Sequence, residues 1–78
     1  MAYLILVNGL PPAFSSDQLR RLFVPYGTVR SVILASPTKG HTLGFGYIQM
    51  ASDSEAVQAV KALHGAPISG HPIGAYLW

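Results

Sequence analysis

Two aromatic residues, Phe45 and Tyr47, lie two positions apart in the stretch LGFGYIQM, residues 43–50. In a β-strand, side chains two residues apart point to the same side, so both rings would stand on one face of a sheet. Aromatic rings grouped in this way either pack into a core or form a binding surface. The spacing therefore leaves two interpretations, a core strand or a binding strand.

Other residue types that could carry chemistry are few and scattered. The three histidines, His41, His64 and His71, lack the spacing of metal ligands, so no metal site is predicted. No paired carboxylates, Ser-His-Asp set or activated nucleophile stands out. The sequence thus argues against an enzyme and implies no cofactor.

Length and composition favour one small soluble domain spanning residues 1–78, since 78 residues can bury only a modest core. The absence of cysteine excludes disulfides and thiolate metal sites, and a cytoplasmic location is expected. A net charge of +2, with only 10% of residues charged, permits an anionic partner without requiring one. No stretch approaches the roughly 18 apolar residues of a membrane span, so no membrane partner is expected.

Hydrophobic periodicity and turn residues predict six elements. They are strands at 3–7, 29–35, 44–50 and 71–78, and helices at 15–23 and 54–65. Two capping boxes, Ser15 with Gln18 and Ser52 with Glu55, mark the helix starts. The order strand, helix, strand, strand, helix, strand predicts an α+β fold. It is a ferredoxin-like βαββαβ sandwich, with two helices on one face of a four-stranded antiparallel sheet.

Because both helices cover the same side, the other side of the sheet, termed the open face, is exposed to solvent. Gly46, Ile48 and Met50 form the small or aliphatic set that a helix-packed face requires. Phe45 and Tyr47 belong to the alternate set and are predicted to point outward.

The chain resembles the RNA recognition motif family across essentially its whole length. LGFGYIQM keeps both glycines, Phe45, Tyr47 and Ile48 of the family octamer K/R-G-F/Y-G/A-F-V-x-F/Y. The stretch ILVNGL, residues 5–10, looks like the family hexamer on the first strand. YGTVRSVIL and KALHGAPISGHPI look like the segments around the second strand and the second helix. The resemblance implies that Phe45 and Tyr47 form a platform on which bases of single-stranded RNA stack, with the flanking glycines leaving the Phe45 ring clear.

Three positions depart from the family pattern. The leading cation of the octamer is Leu43, its final aromatic is Met50, and the second hexamer residue, commonly a stacking ring, is Leu6. The platform has lost a ring and a cation, so weak binding of modest sequence specificity is expected.

Further candidates surround the platform. If Ile73, Ala75 and Leu77 face the helices, then Tyr76 and Trp78 share the open face. Cations would come from the second strand and from Lys39 and His41 in the loop that follows it, and Asn8 could hydrogen-bond bases. The candidate RNA-binding residues are Phe45, Tyr47, Leu6, Asn8, Tyr76, Lys39, Arg30 and Trp78.

Two alternatives use the same fold. Leu4, Leu6 and Ile33, together with the rings, would make an apolar patch on the open face that could bind a protein partner or a second copy in a homodimer. An acylphosphatase-like hydrolase would need an arginine in the loop after the first strand, and NGLPPAF has none.

Overall fold

The computed structural model describes residues 4–36 and 42–78 of the chain. The helices are α1 (Ser16–Phe23) and α2 (Asp53–Leu63), with a short 3-10 helix at Val24–Tyr26. The strands are β1 (Leu4–Asn8), β2 (Val29–Leu34), β3 (Phe45–Met50), β4 (Pro67–Ile68), β5 (His71–Pro72) and β6 (Gly74–Leu77). One sheet has the order β2-β3-β1-β6, and its neighbouring strands are all antiparallel. The predicted ferredoxin-like fold is confirmed.

The core lies between this sheet and the two helices. Alternate residues of the strands are buried on the helix side, and α1 and α2 bury the apolar residues that cover them. The members with no exposed surface include Ile5, Val7, Leu19, Phe23, Ile48, Met50, Ala56 and Ala59. Each of the larger side chains contributes about 1.5–3 kcal/mol on burial. The period of two in β1 and β3 therefore determines which sheet face is left open.

The two helices start differently. At α1 the predicted capping box is present, since Gln18 N donates to Ser15 Oγ (3.1 Å) and Ser15 N donates to Gln18 Oε1 (2.8 Å). At α2, Ser52 Oγ accepts from Glu55 N (3.3 Å), but the Glu55 carboxylate instead accepts from Thr28 N (3.2 Å). The prediction of a second capping box was therefore wrong for the bond from the Glu55 side chain back to Ser52. The Glu55 carboxylate instead connects α2 to the residue before β2.

The C-terminal segment also differs from the predicted single strand at 71–78. The stretch Ala66–Ile73 folds back on itself, with β4 paired to β5 around Ser69 (φ 52°) and Gly70 (φ 82°). Positive φ at both central residues is the geometry of a two-residue type I′ hairpin turn. The strand of the main sheet begins only at Gly74. Leu77 was expected to be covered by the helices, but it is exposed at the end of this edge strand.

A β-bulge interrupts β2. Val29 pairs with Met50 and Ser31 pairs with Gln49, so Arg30 is the extra residue. Val29 packs against the core. Alternation of side chains is interrupted at this point, and Arg30 is exposed in the bulge at the edge of the sheet.

Candidate nucleic-acid interface

The open face carries two rows of residues that run across the strands. In the first row Ile33 pairs with Tyr47, Tyr47 with Leu6, and Leu6 with Tyr76. In the second row Asn8 pairs with Phe45 on one side and with Gly74 on the other. Sequence-predicted candidates from three different strands are therefore brought together on one surface, as the alternation in each strand indicated.

Phe45 begins β3 and is 37% exposed on this face. The neighbouring Gly46 points to the helix side, where an added Cβ would come within 2.7 Å of the Ile33 carbonyl oxygen and 3.3 Å of Leu19. Gly44 has a positive φ of 94°, and its carbonyl accepts from Leu10 N (2.9 Å). The glycines are thus required by the packing under the sheet and by the turn before it, which is a different reason from the ring clearance expected from the sequence.

Tyr47 and Trp78 form a ring pair on the open face. Their centroids are 5.7 Å apart and their planes meet at 86°. Trp78 follows β6, yet its N–H donates to the Leu4 carbonyl (2.8 Å), which extends the ladder between β1 and β6 by one residue. This backbone bond places the indole beside Tyr47, with 68% of the residue exposed.

Tyr76 lies over Gly74 at the outer edge of the sheet. A Cβ on Gly74 would come within 2.7 Å of Tyr76 Cε2 and 2.9 Å of its hydroxyl, and it would also meet Asn8 Oδ1. The glycine therefore leaves room for both the Tyr76 ring and the Asn8 amide. Tyr76 remains 47% exposed, so the ring is accessible to a ligand.

His64 is an interface neighbour that the sequence did not single out. Its ring centroid is 5.0 Å from that of Tyr76, and its Nδ1 accepts from Ala75 N (3.2 Å). His64 directly follows α2, and nothing in its local sequence places it beside β6. Only the packing of the helix end against the edge strand brings them together.

Cations around the open face are sparse in the part of the chain that the structure describes. Arg30 is exposed in the bulge of β2, while Arg20 on α1 donates to the Val29 carbonyl (3.2 Å) at the edge of the same strand. Lys39 and His41 lie outside the described residues. Leu43, at the octamer position where the family carries a cation, is 63% exposed.

A second residue missed from the sequence, Thr42, anchors the start of the octamer. It is the one buried polar residue in the described ranges. Its Oγ1 donates to the Ala35 carbonyl (2.8 Å) and accepts from Gly44 N (3.1 Å), and its own N–H donates to the Pro12 carbonyl (2.7 Å). These bonds fix the backbone that leads into Phe45.

Within residues 4–36 and 42–78, no group of three or more His, Asp or Glu side chains could hold a metal ion. No helix in these ranges is both long enough and apolar enough to cross a membrane.

A four-stranded sheet with two helices on one face and aromatic rings on the other is a small α+β domain with an open, ring-bearing face. Comparisons with known proteins identify the family of this domain. The family model for the RNA recognition motif matches residues 5–74. The chain belongs to the RNA recognition motif family.

The chain is similar to proteins of Arabidopsis thaliana and of Nostoc sp.. Polyadenylate-binding protein 7 of Arabidopsis thaliana is 35% identical over 69 residues, which is 88% of this chain and 11% of that protein. Putative RNA-binding protein RbpA of Nostoc sp. is 36% identical over 70 residues, covering 88% of this chain and 69% of that protein. The chain thus spans about a tenth of the length of the first of these relatives.

Among solved structures, the Rna15 RRM with bound RNA (GU) superposes with a TM-score of 0.93. It covers 100% of this chain and 84% of the other, at 16% sequence identity. At that identity the likeness shows the shared fold.

Proposed function

We propose that this domain binds short single-stranded RNA on its open face, with bases stacked on Phe45 and Tyr47. The observation that carries the proposal is the placement of these two octamer rings on the solvent side of β3, among further rings from β6 and Trp78. The names of relatives such as polyadenylate-binding protein 7 and the putative RNA-binding protein support RNA as the ligand.

Stacking explains why rings on a rigid sheet suit this ligand. Unpaired bases present flat faces, and each base stacked on an aromatic side chain contributes about 1–3 kcal/mol with little regard to its identity. Tyr76 and Trp78 extend the platform beyond β3, while the Asn8 amide, between Phe45 and Gly74, offers hydrogen bonds to a base edge. Arg30 and Lys39 are proposed to contact phosphates.

The same surface explains why binding is proposed to be weak and of modest specificity. Leu6 occupies the centre of the open face without a ring, and Leu43 replaces a cation. A small number of stacks must offset the cost of ordering the RNA. Stacking itself discriminates poorly between bases.

The test is an NMR titration of isotope-labelled protein with a short mixed-sequence single-stranded RNA at low salt. Phe45→Ala is expected to weaken binding by about 1–3 kcal/mol, because one stacking ring is removed from the surface of an otherwise intact fold. Val24→Ala is the matched control, since Val24 is an exposed apolar residue of the 3-10 helix, in the helix layer. An unchanged affinity of Phe45→Ala would contradict the platform role.

A second candidate function is self-association or protein binding through the open face. The specific observation is that Ile33 is 63% exposed at the end of the row that also contains Leu6 and the two tyrosines. Large exposed apolar patches are typical of interaction sites.

Sedimentation equilibrium over a range of protein concentrations separates the two functions. If the open face self-associates, the mean mass rises with concentration and Ile33→Ser lowers it. A constant mass, together with shifts of Phe45 and Tyr47 signals that depend on RNA alone, would remove self-association.

A further inference from the structure

His64 touches the edge of the open face through two separate contacts. Ala75 N donates to His64 Nδ1 over 3.2 Å, and the His64 ring approaches the Tyr76 ring at a centroid distance of 5.0 Å and an interplanar angle of 66°. Ala75 pairs with Val7 of β1, but its N–H points the other way, toward the end of α2. The His64 side chain therefore contacts both the β6 backbone at Ala75 and the ring of Tyr76.

The hydrogen bond selects the tautomer of a neutral imidazole. A ring nitrogen that accepts a backbone N–H carries no proton, so the neutral ring bears its hydrogen on Nε2. The acceptor role also sets the orientation of the ring, because Nδ1 must point at the outer edge of β6. In this orientation the imidazole and the Tyr76 ring meet in a T-shaped arrangement.

Tyr76 is thus confined from two directions. Gly74 lies beneath the ring, which comes close to the position of an added Cβ, and His64 stands at its side. An aromatic side chain that is held in one orientation loses less conformational freedom when a base stacks on it.

We propose that His64 is a positioning residue of the RNA interface, which holds Tyr76 in a stacking orientation over Gly74. This inference rests on the proposed RNA-binding function and adds a residue outside the sheet to it. Edge-to-face ring contacts of this geometry correspond to roughly a two- to tenfold change in an equilibrium constant, which sets the largest effect expected from His64.

Two substitutions separate the contacts of His64. His64→Phe keeps a ring against Tyr76 but cannot accept from Ala75 N. His64→Asn keeps an acceptor near the Nδ1 position but removes the ring. Affinity for a short mixed-sequence single-stranded RNA is measured for both variants by NMR titration, alone and combined with Tyr76→Ala. Urea unfolding reports their stability, and long-range ¹H–¹⁵N spectra report the tautomer of His64 in the wild-type protein.

The expected result is that His64→Asn weakens RNA binding about two- to tenfold, shifts the Tyr76 ring-proton resonances, and has no further effect when Tyr76 is already alanine. His64→Phe should bind within about twofold of the wild type even if it is less stable, since the ring contact is retained. The wild-type spectra should show the Nε2–H tautomer.

Two outcomes would each overturn this inference while leaving the proposed RNA-binding function intact. The first is that His64→Asn binds RNA as tightly as the wild type. The second is that His64→Asn loses the same affinity whether residue 76 is tyrosine or alanine. In both cases Phe45→Ala must still weaken binding. If Phe45→Ala has no effect, or if the wild-type protein does not bind the RNA, the proposed function fails and this inference fails with it.

Discussion

Leu6 lies at the centre of the open face, directly opposite Tyr47 on one neighbouring strand and Tyr76 on the other. It is the position at which the family hexamer commonly carries a stacking ring. Tyr47 and Trp78 are in ring contact, whereas the aliphatic side chain of Leu6 separates Tyr47 from Tyr76. This residue accounts for much of the weak binding that we propose.

Leu6→Phe is accordingly expected to tighten RNA binding by up to about 1–3 kcal/mol, since a further ring would stand between Tyr47 and Tyr76. Calorimetric titration with the same short RNA measures the change. Leu77→Phe is the control, because it adds an equal ring at an exposed position of opposite parity on β6. A gain of the same size in both variants would attribute the effect to general hydrophobicity.

At the scale of elements, the connection between β2 and β3 depends on Thr42. Its hydroxyl joins the end of β2, through the Ala35 carbonyl, to the turn that opens β3, through Gly44 N. The backbone of Thr42 and Gly44 also bonds to the loop between β1 and α1, at Pro12 and Leu10. The octamer therefore starts where the β2–β3 connection is hydrogen-bonded to the β1–α1 loop.

Thr42→Val is expected to destabilise the fold by about 1–3 kcal/mol, because it removes a buried hydroxyl and leaves Gly44 N without its acceptor, while the Ala35 carbonyl keeps the bond from Leu43 N. Urea unfolding gives the change in midpoint. Thr42→Ser keeps the hydroxyl and loses only a methyl group, so it should cost less. Equal losses for the two variants would show that the methyl group, and not the hydrogen bonds, matters at this site.

Most of the secondary-structure elements could be predicted from the sequence, but several contacts between them could not. The helices, the strands of the main sheet and the outward orientation of Phe45 and Tyr47 follow from local periodicity and turn residues. Three other features depend on contacts between elements that are distant in the chain. They are the bulge at Arg30, the hydrogen bond from Thr28 N to Glu55, and the contact of His64 with Tyr76. The β4–β5 hairpin was missed because residues 66–70, APISG, indicate a loop by composition, and His71 and Pro72 were assigned to the last strand of the main sheet.

At the scale of the whole molecule, the small positive charge limits the electrostatic part of RNA binding. Five Lys and Arg against three Asp and Glu leave a net charge of +2, and Arg20 already donates to a backbone carbonyl. Most of the binding free energy is therefore proposed to come from stacking, which depends little on salt.

We expect log Kobs to fall with log salt concentration with a slope of about −1.4 to −2.1, from roughly two or three phosphate contacts at about −0.7 each on single strands. Calorimetry at several KCl concentrations gives the slope. Leu43→Lys should steepen it by about 0.7, since it restores the cation of the octamer. A wild-type slope of about −4 or steeper would mean that phosphate contacts dominate.

The ring pair on the open face has an optical consequence. The chain contains one tryptophan, Trp78, and its indole forms a T-shaped pair with the Tyr47 ring within the surface proposed for RNA. All indole emission from the protein therefore originates at one place, beside a proposed stacking ring. A base that displaces water there should change the intensity or wavelength of that emission, so the native chain carries its own label-free reporter of whether the surface is occupied.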